Sequence, residues 1–352
     1  MSSENMERKP LISVTKSLLS NEKIEELLRK NFGDTVVLIS AEELVDGMFN
    51  ACYKLTIGNC EHDMLVLKTG VTTGKYVLTY EQGLMRTEVD VYRMLEQTEI
   101  PVPRIIAVDY SRELVDCDYF FMEYLLGDTW GKFIHTGVIS PENTRVLHRE
   151  LGRNTARLHT IKGNYFGYIR DDKFYRHPTW REAFRAMVDS LIQDGRRDGV
   201  ELPYSAVYDT FEPLWSLLDE ITEPSLVHYD MWAKNILLIK RNGQYIIDGI
   251  IDLERCFYGD PIAEYISTVT IVGNLEQAED FISGYNEVLP FRFTENDKIR
   301  LGMYKVYMGL LVGIEIYRYP EADVKQRTAG NSMWIMRMLD ELNDLITENQ
   351  SL

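Results

Sequence analysis

Apolar and polar positions follow two rhythms along this chain. Residues 20–31 place Ile24, Leu27 and Leu28 on one helical face, and Gly33 follows as a stop signal. The rhythm then shortens to that of strands at residues 36–40, 51–57 and 64–68, with Asp46-Gly47 and Gly58-Asn59 as turns between them. Residues 80–98 return to helical register through Leu84, Val91, Met94 and Leu95, until Pro101 and Pro103 force extension. Residues 104–108 and 119–124 read as two more strands.

Beyond Gly127 the pattern is mostly helical. Ser140-Pro141 starts a helix that runs to about His159, with a capping hydroxyl and a proline in the first turn. Further helices are predicted over 178–195, 207–221, 276–286, 294–317 and 323–347, with another starting at Asp260-Pro261. A strand-rich island occupies 225–252, with Asn242-Gly243 as its hairpin turn. Residues 162–206 read as an insertion between helical elements. The expected class is α+β. A strand-rich domain covers 1–124 and a larger helical one 125–352.

Composition narrows the function. The 352 residues are 45% hydrophobic and 26% charged, a globular balance in a length that suggests about two domains. Lys and Arg number 38 against 55 Asp and Glu, so the net charge is −17. Such a chain repels a nucleic-acid backbone, and no basic run interrupts that field. The charge suits a cationic small ligand, or serves solubility alone. Cys52, Cys60, Cys117 and Cys256 lack C-x-x-C spacing, which leaves reduced thiols rather than a zinc site or a disulfide scaffold. The first ten residues contain no apolar signal segment. The apolar stretch 303–317 is interrupted by Lys305 and Glu315 and falls short of a membrane span. A cytoplasmic protein without nucleic-acid or membrane partners is expected.

The sequence Leu-Val-His-Tyr-Asp-Met-Trp-Ala-Lys-Asn-Ile-Leu-Leu over 226–238 carries the chemistry. A strand enters a polar loop bearing His228, Asp230 and Asn235, and a second strand leaves it. The Asn242-Gly243 turn then returns the chain to Asp252. A hairpin gathers strand ends, so Asp230, Asn235 and Asp252 should converge. Two carboxylates and an amide oxygen make a hard donor set, suited to Mg²⁺ rather than zinc. Phosphoryl transfer needs such a set: one carboxylate to take the proton of the attacking hydroxyl, and the others to hold the cation against a nucleotide's phosphates.

These residues resemble the aminoglycoside phosphotransferase family, a relative of the protein kinases. Its H-x-D-x-x-x-x-N signature falls on His228, Asp230 and Asn235. Its I-D-W-E-x-A-x-x-G-D-P signature falls on residues 251–261, with Leu253 and Cys256 as departures. The likeness runs from about residue 20 to 345. It implies a protein-kinase-like bilobal fold, with a small antiparallel-sheet lobe and a large helical lobe. It implies that Lys68 contacts phosphates and pairs with Glu88. Met122, Glu123, Tyr124 and Leu125 become the hinge, whose backbone bonds a purine. The helix before the catalytic loop falls on 151–159. The phosphate loop is loose, since residues 46–50 (Asp-Gly-Met-Phe-Asn) hold one glycine, and Lys234 stands where a small residue is usual.

The implied activity is transfer of the γ-phosphoryl group of ATP or GTP, with Mg²⁺, to a small-molecule hydroxyl. An aminoglycoside or related antibiotic is the first acceptor expected. A kinase for a sugar, amino alcohol or macrolide, and a nucleotide-binding pseudokinase, are the alternatives. Plain structural readings stand beside these. His228 should hold its loop, and Asp260 should cap a helix. Glu254 and Glu264 either line a cationic substrate site or are surface carboxylates. Tyr165, Phe166, Tyr168, Phe174, Tyr175 and Trp180 either stack on substrate or pack a core, and 303–317 should be core.

Overall fold

A computed structural model describes residues 13–45, 47–134, 136–170 and 174–350. The N-terminal decapeptide read for a signal segment, and Asp46 of the loose loop, lie outside the described residues. Contacts divide the chain into two units. The first holds Met1–Val77, Ile105–Tyr124 and Ile316–Gln326, and the second Leu78–Arg104, Leu125–Glu315 and Arg327–Leu352.

In the first unit, helix α1 (Asn21–Phe32) precedes strands β1 (Val37–Glu43), β2 (Ala51–Gly58), β3 (Met64–Thr69), β4 (Ile105–Asp109) and β5 (Tyr119–Glu123). They form one antiparallel sheet in the order β1-β2-β3-β5-β4. Ser20 caps α1 by accepting the Lys23 N–H. Strand β2 alternates strictly, so Ala51, Tyr53, Leu55 and Ile57 point inward onto Ile24, Leu27 and Leu28 of α1. Central β3 is buried on both faces and therefore reads as a continuous apolar run. Asp109, at the end of β4, is held by Lys30 Nζ at 2.8 Å, by the Tyr119 hydroxyl at 2.9 Å and by the Ser111 N–H at 2.7 Å. Burial alone would raise its carboxyl, but these donors outweigh burial and hold it well below the usual carboxylate range.

After a 3-10 turn (Thr79–Glu81), the second unit runs through α2 (Leu84–Leu95), β6 (Asp128–Thr129), α3 (Trp130–Phe133), α4 (Pro141–Thr160), β7 (Gly167–Tyr168), α5 (Trp180–Arg197) and α6 (Tyr204–Phe211). Then come β8 (Ser225–Val227), β9 (Ile236–Arg241), β10 (Gln244–Ile250), β11 (Phe257–Gly259), α7 (Tyr265–Val272), α8 (Glu279–Asn286) and α9 (Glu295–Ile314). Helix α10 (Glu321–Gln350) crosses the division. Two three-stranded sheets, β10-β9-β6 and β7-β11-β8, carry the polar loop between them in sequence.

Several elements depart from the periodicity reading for identifiable reasons. The helix expected over 80–98 is split into a 3-10 turn (Thr79–Glu81) and α2, because Gly83 between them takes φ +82°. The helix expected over 207–221 tightens after α6 into a 3-10 stretch (Glu212–Glu220), where Pro213 lacks an N–H to continue the ladder. The aromatic residues resolve mainly as core: Trp180 stacks on Phe257 with centroids 5.4 Å apart and donates Nε1–H to the Tyr304 hydroxyl, while Phe174 is exposed. Met303, Tyr304, Val306, Tyr307, Leu310 and Leu311 of α9 are buried, as the 303–317 pattern required. All four cysteines are free thiols. No helix among the described residues is long and apolar enough to cross a membrane.

Helices α4 and α8 touch backbone to backbone. A Cβ on Gly152 would fall on the Phe281 carbonyl oxygen, and one on Gly284 on the Arg149 carbonyl oxygen. Gly152→Ala should therefore destabilise by about 1–3 kcal/mol. Gly330→Ala, in open space on α10, should be neutral or stabilise by up to about 1 kcal/mol. Thermal midpoints of the two variants check the contrast, and equal midpoints would refute the close approach. Asp109 supplies a pH test. Because its folded carboxyl titrates below its unfolded value, its contribution is present above about pH 4 and fades as acid protonates it. Asp109→Asn should cost about 1–3 kcal/mol at pH 7, with a gap that narrows steadily on acidification in denaturant titrations of both proteins.

Candidate active site

The loop between β8 and β9 is shaped by one buried carboxylate. Glu264, fully buried in the turn that Pro261 starts, accepts the His228 N–H at 2.7 Å through Oε2 and the Tyr229 N–H at 3.1 Å through Oε1. Tyr229 takes φ +65°, which turns the chain sharply enough to present Asp230. His228 adds a second brace. Its Nδ1 accepts the Asp230 N–H at 3.2 Å, so its proton lies on Nε2, which donates to the Ile251 carbonyl at 3.0 Å. The imidazole thereby links the loop to the end of β10, which is the structural role expected of it.

Asn235 closes the loop. Its Nδ2 donates to the Asp230 carbonyl at 2.9 Å and to Asp230 Oδ2 at 3.2 Å, so its Oδ1 is the atom left to accept or ligate. The Ile251 N–H donates to the Asn235 carbonyl at 2.9 Å, which sets Asp252 one residue beyond this junction. The hairpin that delivers Asp252 has the two-residue turn expected: Gln244 faces Arg241, and Asn242 and Gly243 take φ +51° and +84°. Asp252 itself takes φ +67°, and its N–H donates to the Tyr92 hydroxyl of α2 at 3.0 Å. A non-glycine residue in this conformation is a constraint imposed by its surroundings.

Helix α2 brings a third acid. Carboxylate oxygens of Glu88, Asp252 and Glu254 lie within 4.8 Å of one another, an oxygen-only group with the spacing of a metal site. Asp230 is half-buried, and the loss of water around it pushes its carboxyl up to about 8. Arg255 opposes the shift, while Asp252, Glu254 and Glu315 add to it. Arg255 is held by Glu315 Oε1 at 2.7 Å and lies 5.9 Å from the centre of the Tyr80 ring.

The other residues singled out by sequence fall as follows. Lys68 is buried in β3, opposite Cys52 and Phe120. Met122 and Glu123 end β5, opposite Val66 and Leu65. The Tyr124 ring lies 4.7 Å from Lys54 Nζ. These four belong to the first unit, whereas Leu125 and Glu88 belong to the second. Leu125 packs where a Cβ on Gly249 would sit. In the loose loop, the carbonyls of Met48 and Phe49 are held by the hydroxyls of Ser13 and Thr15. Lys234 Nζ lies 5.1 Å from the Trp232 ring centre. Asp260 caps its turn as expected, accepting the Ile262 N–H at 3.1 Å, and also accepts from Arg300 and Tyr304. Glu264 is a correction: neither a surface carboxylate nor a substrate ligand, it is buried because the loop's N–H groups need an acceptor. Arg255, a single arginine after Glu254, has no pattern of its own in the sequence; the fold sets it among the acids around Asp230.

Comparison with known proteins bears on the family and the fold. The model of the phosphotransferase enzyme family matches residues 61–293. No curated protein matches the sequence. Among solved structures, a Ralstonia eutropha JMP134 protein provisionally assigned as an aminoglycoside phosphotransferase superposes with TM-score 0.64 at 14% identity, covering 94% of this chain and 98% of that one. A thermostable mutant of aminoglycoside phosphotransferase APH(4)-Ia, in ternary complex with AMP-PNP and hygromycin B, gives 0.61 at 16%, covering 92% and 98%. Choline kinase from Cryptosporidium parvum Iowa II gives 0.57 at 15%, covering 94% and 99%. The fold is therefore kinase-like, with an antiparallel N-terminal sheet and a largely helical remainder, as expected. With its family's model spanning well over half its length, this chain belongs to the phosphotransferase enzyme family.

Proposed function

We propose that this protein transfers the γ-phosphoryl group of ATP or GTP to a hydroxyl of a small molecule, with an aminoglycoside or related antibiotic as the first acceptor class. The observation that carries the reading is the Asp230–Asn235 pair braced one residue from Asp252. Asp230 is the catalytic residue: it orients the acceptor hydroxyl and takes its proton. Its raised carboxyl makes it a stronger base than an exposed aspartate once ionised. Asn235 Oδ1 and the Asp252 carboxylate would hold Mg²⁺, whose charge neutralises the phosphates when it is bound. The donor chemistry fits, because every available atom in the set is oxygen.

Lys68 would contact the α- and β-phosphates, with Glu88 positioning it. The backbone from Met122 through Leu125 would bond the purine. AMP-PNP and ADP complexes of APH(4)-Ia and the GDP complex of an aminoglycoside 2′-phosphotransferase support a nucleotide donor for the fold. No covalent enzyme intermediate is required, since positioning and charge stabilisation dominate this chemistry. The acids Glu254, Glu315 and Asp252 around Asp230 outnumber Arg255, and the net charge is −17. Both favour a cationic acceptor, as an aminoglycoside is. A resistance enzyme working in the cytoplasm would follow.

Two measurements test this. Asp230→Asn should lower kcat by about a hundredfold to ten-thousandfold while leaving nucleotide KM nearly unchanged. Full turnover by that variant would remove the base assignment. A nucleotide-consumption screen, run with ATP and with GTP, should give turnover with an aminoglycoside when these are compared with macrolides, sugars and amino alcohols. Turnover of a sugar, amino alcohol or macrolide alone would replace the antibiotic reading with a metabolite or macrolide kinase. Nucleotide binding without any turnover would favour a pseudokinase.

A further inference from the structure

The segment ahead of α1 inverts the usual burial pattern. Ser13 and Thr15 turn inward and are buried, whereas Val14 between them is 51% exposed. Burying hydroxyls while a valine faces water is unfavourable unless the hydroxyls meet acceptors. The acceptors are two consecutive carbonyls of the loop between β1 and β2. Ser13 Oγ donates to the Met48 carbonyl at 2.5 Å, and Thr15 Oγ1 lies 3.0 Å from the Phe49 carbonyl and 3.2 Å from that of Met48. A hydroxyl has one proton, so with Ser13 on Met48, Thr15 donates to Phe49.

The segment is fastened independently of that loop. Lys75 Nζ donates to the Val14 carbonyl at 3.2 Å, to the Lys16 carbonyl at 3.1 Å and to Ser17 Oγ at 2.9 Å. Lys16 Nζ meets Glu43 Oε1 of β1 at 3.1 Å, and the Leu19 N–H donates to the Tyr53 hydroxyl of β2 at 2.7 Å. Buried Phe49 gives the loop an anchor: the Arg318 guanidinium lies 4.6 Å from its ring centre, and the Arg318 carbonyl accepts the Val14 N–H at 3.4 Å. All of these residues belong to the first unit. The described peptides are all trans, so each carbonyl points opposite to the N–H of the next residue. Fixing the Met48 and Phe49 carbonyls therefore fixes the direction of the two amides that follow. Loops that follow phosphate oxygens with backbone amides depend on that direction. With Gly47 as the single glycine of residues 46–50, this loop takes its shape from side chains outside it.

We propose that Ser13 and Thr15 are positioning residues for nucleotide binding, their hydroxyls holding the backbone of residues 48–50 in the shape that receives the phosphates. Both act through the loop rather than by contact with the nucleotide. The inference deepens the phosphotransferase reading and rests on it, since that reading makes 46–50 the phosphate loop.

Thr15→Val keeps the shape of the side chain and removes the donor, whereas Thr15→Ser keeps the donor. Two readouts on the full chain test the proposal: hydrogen exchange of amides 47–50 without nucleotide, and titration with ATP and with GTP, each with Mg²⁺. Thr15→Val should exchange faster in the loop and bind the tighter of the two nucleotides about threefold to tenfold more weakly. Ser13→Ala should follow it, and Thr15→Ser should match the unsubstituted chain in both readouts. Thermal midpoints check that each variant is folded. Loop exchange or nucleotide affinity unchanged in Thr15→Val would overturn the proposal. So would an equal loss in Thr15→Ser, because packing rather than the hydroxyl would then be responsible. An unsubstituted chain that binds neither nucleotide would remove the phosphotransferase reading and this role with it, which separates that failure from a failure of the inference alone.

Discussion

The buried carboxylate of Glu264 is the contact on which the loop carrying Asp230 depends. A carboxylate removed from water is costly unless donors replace its hydration, and here two consecutive backbone N–H groups do so. Those N–H groups belong to His228 and Tyr229, where the chain turns through a positive φ and could not satisfy them within a regular element. Each side of the contact therefore removes the other's penalty. Behind it, His159 bonds the Tyr285 hydroxyl at 2.8 Å, and its Nε2 lies 3.7 Å from Glu264 Oε2, so α4 and α8 back the same carboxylate. Those two helices approach closely at Gly152 and Gly284.

From that anchor the loop's geometry follows step by step. His228 reaches across to the Ile251 carbonyl, Asn235 bonds Asp230, and the Asn235 carbonyl receives the Ile251 N–H. The end of β10 is tied twice to the loop, once by an imidazole and once by backbone. Asp252 is then forced into the left-handed region, and the Tyr92 hydroxyl stabilises its N–H there. The positions of three side chains are thus set by backbone groups and neutral rings. The acids themselves repel one another and could not assemble unaided.

Helix α2 presents Glu88 to Asp252 and Glu254, an oxygen group suited to a cation. Arg255, paired with Glu315, tempers the negative cluster around Asp230 without cancelling it.

What the sequence determined by itself was local and periodic. Alternation in β2, the stripe of α1, the Asn242-Gly243 turn and the spacing of His228, Asp230, Asn235 and Asp252 were all readable, because each depends on neighbours a few residues away. The family signature was legible for the same reason. Only the tertiary structure decided that Glu264 is an anchor rather than a surface acid. It alone placed Glu88 with Asp252 and Glu254 and set Arg255 among the acids around Asp230. Those arrangements join residues tens to more than a hundred positions apart. Burial and charge partners depend on which segments pack together, and no spacing along one chain records that.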